Sequence, residues 1–241
     1  INNKKHVFIE KPISYSIEDA NKIINNARKN NIIGQIGHVE RFNPAFKAVK
    51  NSIVNPMFIE CHRLSEFNPR GTDVSVVLDL MIHDIDIILN VVKSKIKSID
   101  ASGVSVISKS PDICNARILF ESGCVANLTS SRMSLKKMRK SRFFQKDAYI
   151  SVDYLSKKVE VVKIKDDINN SNDLPLIFQN AEGEKKQIYF ENPLINDSNA
   201  ILEELESFAD SINNKIKPII SLEDGKNALD VANKIISKIN L

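Results

Sequence analysis

The chain has 241 residues, of which 42% are hydrophobic and 27% are charged, and its formal net charge is +4. This composition is typical of a globular protein and excludes collagen-like and low-complexity classes. The mild positive charge requires neither a nucleic acid nor a membrane as partner, and no apolar run is long enough to cross a bilayer. Cys61, Cys114 and Cys124 are scattered and odd in number, which favours a reducing cytoplasm over a disulfide framework.

The first forty residues alternate between strand and helix patterns. Residues 6–9 and 32–36 form short apolar runs that predict strands, and residues 16–30 predict an amphipathic helix. Ser16 and Asp19 have the spacing of a capping box at the start of that helix. This β-α-β order predicts a parallel sheet at the end of an α/β domain. The chain begins without Met and enters this pattern at once, as we expect of a fragment.

The remaining residues predict an antiparallel sheet with helices beside it. Asn43 and Pro44 suit the start of a helix over 44–51, and further helices are predicted at 74–92, 198–214 and 222–240. Polar residues over 166–186 predict a loop. Alternating apolar and polar residues predict strands at 57–64, 97–108, 113–121, 124–131, 142–146, 148–154 and 157–164. The predicted class is therefore α+β, with an open, mainly antiparallel sheet and flanking helices, preceded by the β-α-β portion.

The helix predicted over 74–92 carries the strongest chemical signal. Asp79 and His83 are four residues apart, and Asp86 follows three residues later, so all three share one helix face. Ionisable groups in so apolar a helix are costly when they are buried without partners. A carboxylate one turn from an imidazole can orient the ring and support general acid–base catalysis. The alternative is a core helix whose polar side chains are satisfied structurally.

Polar motifs follow both strands of the first segment. Glu10, Lys11 and Pro12 come directly after the first strand, at the edge where parallel sheets bind ligands. Lys11 could donate to a substrate hydroxyl there, and its bond to Pro12 is a candidate for the cis form. Residues 38–44 follow the second strand. They indicate either a second part of the binding edge, or simple capping by Asn43 with Arg41 on the surface.

These motifs resemble one known family. Glu10-Lys11-Pro12, residues 37–44, residues 70–73 and the Asp79-x-x-x-His83-Asp84-x-Asp86 segment occur in the order found in the Gfo/Idh/MocA oxidoreductases. The resemblance covers the whole chain, including residues 221–225 before the last helix. It implies a Rossmann domain that binds NAD or NADP, followed by a domain whose open sheet packs against another subunit. Residues 1–40 would be the end of the first domain. Residues 41–241 would bind substrate and form the oligomer, and the last helix could pack back on the first domain.

The resemblance also implies roles for individual residues. Lys11 would contact nicotinamide and substrate, His83 would exchange the hydroxyl proton, and Asp79 would position substrate or support His83. The implied cofactor-binding residues are Glu10, Lys11, Pro12 and Arg41. The implied substrate-binding residues are Asn43, Arg70, Asp79 and His83, and no metal ligand is implied. The Gly-rich GxGxxG motif of the family does not occur in this sequence, so these residues alone should bind NAD(P) poorly.

The implied reaction is oxidation of a secondary alcohol of a sugar to a ketone. Residues 37–44, 69–74 and 78–86 resemble the branch of UDP-N-acetylglucosamine 3-dehydrogenases, which predicts a UDP-sugar beside a free sugar as possible substrate. The open sheet of the family implies a homodimer or homotetramer as the assembly. The basic residues between Arg132 and Arg142 could contact a diphosphate. Equally, they could be a solvated strand edge that prevents aggregation. RNA is a third option, but no aromatic platform accompanies the charges.

Two other functions fit parts of the pattern. His83, Asp84 and Asp86 could bind a metal together with His38 or His62, as in a metal-dependent hydrolase, although Asp84 should point away from the shared face. A non-catalytic scaffold subunit without a cofactor domain is the second alternative, and the complete set of Lys11, Asp79 and His83 argues against it.

Overall fold

The fold is described from a computed structural model, for residues 1, 3–68, 74–165, 176–179, 183 and 185–239. The first three elements are β1 (Val7–Glu10), α1 (Ile17–Lys29) and β2 (Gly34–Gly37), and β1 pairs with β2 in parallel. The Ser16 hydroxyl accepts a hydrogen bond from the Asp19 main-chain N–H at 3.0 Å. The predicted β-α-β portion and its helix start are thereby confirmed, with strand bounds shifted by one or two residues.

A nine-stranded sheet forms most of the rest of the described chain. Neighbouring strands pair in the order β10-β11-β9-β8-β7-β3-β6-β5-β4, and every pair except the parallel β3–β6 is antiparallel. The strands are β3 (Phe58–Leu64), β4 (Ile96–Val104), β5 (Ile113–Phe120), β6 (Val125–Ser131), β7 (Met138–Phe144), β8 (Ala148–Asp153), β9 (Lys158–Lys165), β10 (Leu176–Gln179) and β11 (Lys185–Glu191). The predicted open, mainly antiparallel sheet is confirmed.

Two parts of this sheet differ from the sequence prediction. β7 begins at Met138 rather than at residue 142, because it pairs with β3 along its whole length despite its basic side chains. β10 and β11 occupy part of the segment predicted as a loop. The Asn-rich run that suggested a loop lies outside the described residues, whereas β11 is held as a strand by its pairing with β9. In both cases tertiary pairing overrides local propensity.

The remaining helices are α2 (Pro44–Val49), α3 (Ile82–Val91), α4 (Ala200–Asn213) and α5 (Leu222–Lys238), and a π-helical turn over Val77–Met81 precedes α3. Helices α2, α3 and α5 pack on one face of the sheet, whereas α4 packs against the turn at Val39–Phe42. The single long helix predicted over 74–92 is thus divided into a π turn and an α-helix. The main core lies between the sheet and helices α3 and α5, and a smaller core lies around α1, β2 and α5. Within the described ranges, no helix has the length and apolarity needed to span a membrane.

Helix α5 connects the β-α-β portion to the larger sheet. It contacts α1 and β2 on one side and α3 and β4 on the other. Gly34 and Gly225 allow this close approach. A Cβ atom at Gly34 would lie 2.8 Å from Leu222 side-chain atoms, and one at Gly225 would lie 2.6 Å from Ile36 Cγ1. The last helix therefore packs against the first segment, and this packing fixes the orientation of β1 and β2 relative to α3.

Candidate active site

The ends of β1 and β2 lie side by side and bring two polar motifs together. Glu10 pairs with Gly37 in the parallel register, so Lys11 and His38 follow at the same sheet edge. A Cβ atom at Gly37 would lie 2.7 Å from Glu10 Oε2, so a side chain at this position would displace the Glu10 carboxylate. The Lys11–Pro12 peptide bond is cis, as the sequence suggested.

Lys11 connects this sheet edge to the π turn. Its Nζ donates a hydrogen bond to the Asp79 main-chain carbonyl at 2.5 Å and lies 3.6 Å from Asp79 Oδ1. The Lys11 side chain is 19% exposed, whereas that of Asp79 is 45% exposed. Burial lowers the pKa of Lys11, and the Asp79 carboxylate opposes that shift. The π turn that holds Asp79 belongs to a class of helix irregularity that is frequent at functional sites.

His83 lies one element further on, in the first turn of α3. Burial lowers its pKa well below the ordinary value, and the positive charges of Arg63 and Lys11 add to this shift. The ring is therefore uncharged at neutral pH. Its Nδ1 is buried and has no hydrogen-bond partner. The His38 ring lies edge-on to it, with ring centres 6.3 Å apart.

The expected support of His83 by a carboxylate one turn away is absent from the described contacts. The Asp79 carboxylate lies beside Lys11, and that of Asp86 binds Arg41. Asp86 is also 4.0 Å from His38 Nε2. The two carboxylates are bound instead by arginine and lysine side chains from other elements. The spacing of residues along one helix cannot predict such contacts.

Two buried arginines attach α3 to its surroundings. Arg41 Nε and Nη2 donate to Asp86 at 2.7 and 2.6 Å. Arg63 Nε and Nη2 donate to Asp84 at 3.0 and 2.8 Å. Such bidentate pairs fix geometry as well as charge. Together they hold α3 against the segment after β2 and against β3, and thereby hold His83 near Lys11.

The other predicted site residues occupy different places. Asn43 caps α2, since its Oδ1 accepts from the Ala45 N–H at 3.1 Å, and its Nδ2 donates to Glu40 and to the Tyr154 carbonyl. Arg41 is buried against Asp86, so the surface position considered for it was wrong. Pro12 follows Lys11 at the sheet edge. Arg70 lies outside the described residues.

Sequence reasoning did not single out Arg63 as a site residue. Arg63 donates from Nη1 to Glu40 Oε1 at 2.8 Å, in addition to its bonds with Asp84. Arg139 Nη1 lies 3.7 Å from the same Glu40 oxygen. A signal for Arg63 does exist in the pattern: β3 alternates, and Ile59, Cys61 and Arg63 all point to the helix-covered face. A charged residue at such a position requires a buried partner.

The metal-binding alternative receives no support from this geometry. Its two carboxylates, Asp84 and Asp86, are each engaged by a guanidinium group. No cluster of three or more His, Cys, Asp or Glu side chains with the arrangement of a metal site occurs among the residues that the structure describes.

Comparisons with known proteins identify both parts of the chain. Residues 30–147 match the GFO/IDH/MocA C-terminal domain, and residues 1–38 match the oxidoreductase family with an NAD-binding Rossmann fold. The UDP-N-acetylglucosamine 3-dehydrogenase of Acidithiobacillus ferrooxidans is 34% identical over 157 residues, which cover 65% of this chain and 50% of that protein. The myo-inositol 2-dehydrogenase of Thermotoga maritima is 26% identical over 243 residues, which cover 94% of this chain and 68% of the relative.

The fold comparison agrees with the sequence comparison. A solved structure of the UDP-N-acetylglucosamine 3-dehydrogenase of Acidithiobacillus ferrooxidans superposes with a TM-score of 0.84 at 26% identity, over 97% of this chain and 70% of that one. The sequence alignment with this relative therefore spans half of the relative's length, and the structural superposition spans 70% of the relative's solved chain. The motifs, the fold and both family matches lead to one conclusion: the chain belongs to the Gfo/Idh/MocA family of oxidoreductases.

Proposed function

We propose that the protein oxidises a secondary alcohol of a sugar or polyol to a ketone, with NAD or NADP as hydride acceptor. The observation that carries this proposal is the meeting of three groups at the carboxyl edge of β1 and β2. The partly buried Lys11 amine lies 3.6 Å from the Asp79 carboxylate, and the His83 ring follows one turn later in α3, with its centre 6.3 Å from that of His38 at the end of β2. An ammonium donor beside a neutral imidazole suits removal of a hydroxyl proton.

The residues at this edge fit the nicotinamide end of the cofactor. Glu10, Lys11 and Pro12 lie where parallel strands end, which is the edge at which such sheets bind ligands. Lys11 would hold the cofactor and the substrate oxygen together. A nicotinamide bound here would supply the hydride acceptor for the carbon that bears the hydroxyl. A cofactor role for Arg41 stays a prediction, because its guanidinium is engaged by Asp86.

The chain's own groups would handle the proton. The Lys11 ammonium donates a hydrogen bond to the substrate oxygen and stabilises negative charge on it as the O–H bond breaks. His83 accepts the proton and becomes imidazolium, and it later releases the proton to solvent. Asp79 holds Lys11 and a neighbouring substrate hydroxyl in place. The alcohol thereby loses one hydride and one proton, as a ketone requires.

The finer features of the proposal concern substrate and assembly. The relative with 34% identity is named for UDP-N-acetylglucosamine, which favours a nucleotide sugar; Asn43 and Arg70 stay predicted substrate contacts. The half-exposed Arg139 near Glu40 is available for a phosphate group. In the basic stretch, Lys137 and Arg142 lie within 4 Å of Glu66 and Glu60, and Arg132 is buried near Asp112. That stretch therefore supports a diphosphate site less than its sequence suggested.

We further propose that residues 1–40 belong to the cofactor domain and residues 41–241 to the substrate and subunit-contact domain. The sheet face opposite the helices carries an aromatic group formed by Phe58, Phe144 and Tyr149, with ring centres 5.8 and 5.1 Å apart. This group supports a homodimer or homotetramer through the open sheet, which the particle mass in solution tests. All three cysteines are buried and unpaired, which supports the cytoplasm as location.

The test is turnover by the protein expressed from its complete reading frame, followed as NADH or NADPH formation. UDP-N-acetylglucosamine, free sugars and inositols are offered with each cofactor. We expect Lys11→Ala and His83→Ala each to lower kcat by about 10²–10⁴-fold, the usual contribution of general acid–base groups. Lys22→Ala serves as the matched control, because Lys22 is an exposed lysine on α1.

The outcomes separate the assignment from the function. Full activity of both variants would show that Lys11 and His83 are not the reacting groups. Absence of turnover with every substrate, together with absence of cofactor binding, would contradict the dehydrogenase and favour the scaffold alternative.

A further inference from the structure

His38 is a buried histidine beside the proposed proton acceptor. It is 1% exposed and directly follows β2, at the sheet edge where Lys11 follows β1. Its ring lies at 88° to the ring of His83, with the ring centres 6.3 Å apart. Within the described part of the chain, neither ring nitrogen of His38 has a hydrogen-bond partner, and the same holds for Nδ1 of His83. Two neighbouring rings therefore contain three buried nitrogens without a protein partner.

These three nitrogens require a hydrogen-bond partner. Burying a polar atom without one is costly, and native proteins rarely leave such atoms unsatisfied. A direct bond between the two rings is excluded, because neither nitrogen of His38 is within hydrogen-bond distance of another polar group of the described chain. A water molecule can connect polar atoms that are too far apart for a direct bond, and buried waters commonly bind two to four such atoms. We therefore expect the two rings to share one water.

The carboxylate of Asp86 gives this connection a direction. Its Oδ1 lies 4.0 Å from Nε2 of His38, which is longer than a hydrogen bond but close enough for the negative charge to favour a proton on Nε2. Arg41 donates once to each oxygen of Asp86. Each carboxylate oxygen has two lone pairs, so Oδ1 keeps one for His38. An ionised carboxylate can only accept, and His38 must be the donor in this contact.

The His38 ring is uncharged at neutral pH and holds a single ring proton. Burial lowers the pKa of His38, and the positive charges of Arg41 and Lys11 add to this shift, whereas Asp86 and Asp224 oppose it. With the proton on Nε2, Nδ1 of the same ring is an acceptor. The shared water then donates to Nδ1 of His38 and accepts from Nδ1 of the neighbouring ring.

We propose that His38 is a positioning residue that is oriented by Asp86 and, through one buried water, holds His83 in the tautomer with its proton on Nδ1. In that tautomer Nε2 of His83 is available to accept the hydroxyl proton of the substrate. This inference rests on the proposed role of His83 as proton acceptor. It gives His83 the carboxylate support that the sequence suggested, but indirectly, through a second imidazole. A catalytic base that is oriented by a further group is a recurrent arrangement in enzymes.

The test determines both tautomers from the ring-nitrogen NMR signals of the full-length protein labelled at histidine. The measurement is made at about pH 8, above the ordinary pKa of histidine. We expect the ring proton of His83 on Nδ1 and that of His38 on Nε2. His6 is an internal reference, because its Nδ1 accepts from the Ile33 N–H at 3.0 Å and its proton must lie on Nε2. The sequence contains four histidines, and single substitutions assign their signals.

Two variants of His38 separate hydrogen bonding from the filling of space. His38→Phe keeps a ring but removes both nitrogens, so the proton of His83 should lose its preference for Nδ1. We expect kcat to fall by about 10–100-fold with little change in KM, as when a group that orients a metal-bound histidine is lost. His38→Asn keeps an acceptor near the position of Nδ1 and should restore most of the tautomer and of kcat. If His38 only filled space, the order would be reversed, because phenylalanine preserves the volume better.

The matched control is His6→Phe, the same substitution at an exposed histidine just before β1. It should leave kcat and the tautomer of His83 near those of the parent protein. A loss of kcat in His6→Phe equal to that in His38→Phe would contradict a specific role of His38.

The results distinguish the inference from the proposed function. A proton on Nδ1 of His83 that loses this preference in His38→Phe supports the inference even if no sugar is oxidised, in which case the function alone fails. A proton on Nε2 of His83 in the parent protein, or an unchanged tautomer in His38→Phe, overturns the inference even in an active dehydrogenase. If His38→Phe does not fold, the parent protein decides, because a proton on Nδ1 of His38 would also contradict the inference.

Discussion

Two arginine–carboxylate pairs of nearly equal length lie in opposite environments of this protein. In the interior, Arg63 and Asp84 approach to 2.8 Å, and each side chain is 2% exposed. At the rim where α1 meets α5, Arg28 and Glu223 approach to 2.7 Å, with side chains 68% and 42% exposed. The two buried side chains have lost their hydration shells, so each charge is stabilised mainly by the other. The two exposed side chains remain hydrated, and dissolved salt screens their attraction. The distance between the two charged groups therefore does not determine how much a pair contributes to the free energy of unfolding.

The largest expected effect comes from breaking the interior pair. Asp84→Ala should lower the free energy of unfolding by about 3–5 kcal/mol, because it leaves Arg63 buried without its bidentate partner. The matched control is Ile85→Val, at the next and equally buried position of α3, which should cost about 1 kcal/mol. Urea denaturation of the two variants measures both values.

A combined replacement sharpens this prediction. Arg63→Met, Glu40→Gln and Asp84→Leu together remove all three charges, and most of the stability lost in Asp84→Ala should return. If the triple variant is as unstable as Asp84→Ala, the loss of stability in Asp84→Ala comes from disturbed packing around Arg63 and not from the loss of charge pairing.

A buried acid without an arginine should show an intermediate, pH-dependent effect. Glu204 on α4 is 3% exposed, and its Oε1 has no hydrogen-bond partner. Burial, with the negative charges of Glu10 and Asp86, raises the pKa of Glu204 to about 8. In the unfolded chain the pKa of glutamate is about 4.3. The native state therefore binds a proton that the unfolded state releases, so stability falls as pH rises between these values.

Glu204→Gln should abolish that dependence. Relative to the parent protein, the variant should gain a few kcal/mol at pH 9, with about 5 kcal/mol as the upper limit set by the two pKa values, and almost nothing at pH 4. Thermal unfolding at several pH values measures the difference. A constant difference across this pH range would show that Glu204 is ionised to the same extent in both states.

The smallest effect should come from the rim pair. Arg28→Ala should change the free energy of unfolding by at most about 0.5 kcal/mol, and added salt should reduce even this difference. Urea denaturation at low and high ionic strength measures it. A loss comparable to that of Asp84→Ala would refute the contrast between the two environments.

The sequence predicted the parts of this protein that depend on local pattern. The β-α-β start, the α2 cap at Asn43 and the alternating strands of the sheet all follow from periodicity and capping residues. Lys11 and His83 could be named as candidate site residues because one follows a strand of a parallel pair and the other lies on an apolar helix. Their contact partners were not identifiable. Lys11 contacts Asp79, and Arg63 contacts Asp84, which is 21 positions away in the sequence. Such pairs between distant residues are determined only when the sheet and the helices pack together. The π turn was missed because its residues have the composition of an ordinary helix.

That π turn limits which insertions and deletions the gene can tolerate in this segment. The Ile82 N–H bonds to the Val77 carbonyl, five positions back, so the turn contains one residue more than an α-helix needs. With 3.6 residues per turn, one additional residue rotates the preceding segment by about 100° relative to α3. Deleting a single codon here would produce a smoother helix while turning Asp79 away from Lys11. Insertions and deletions in this stretch should therefore be selected against even where they improve helix regularity.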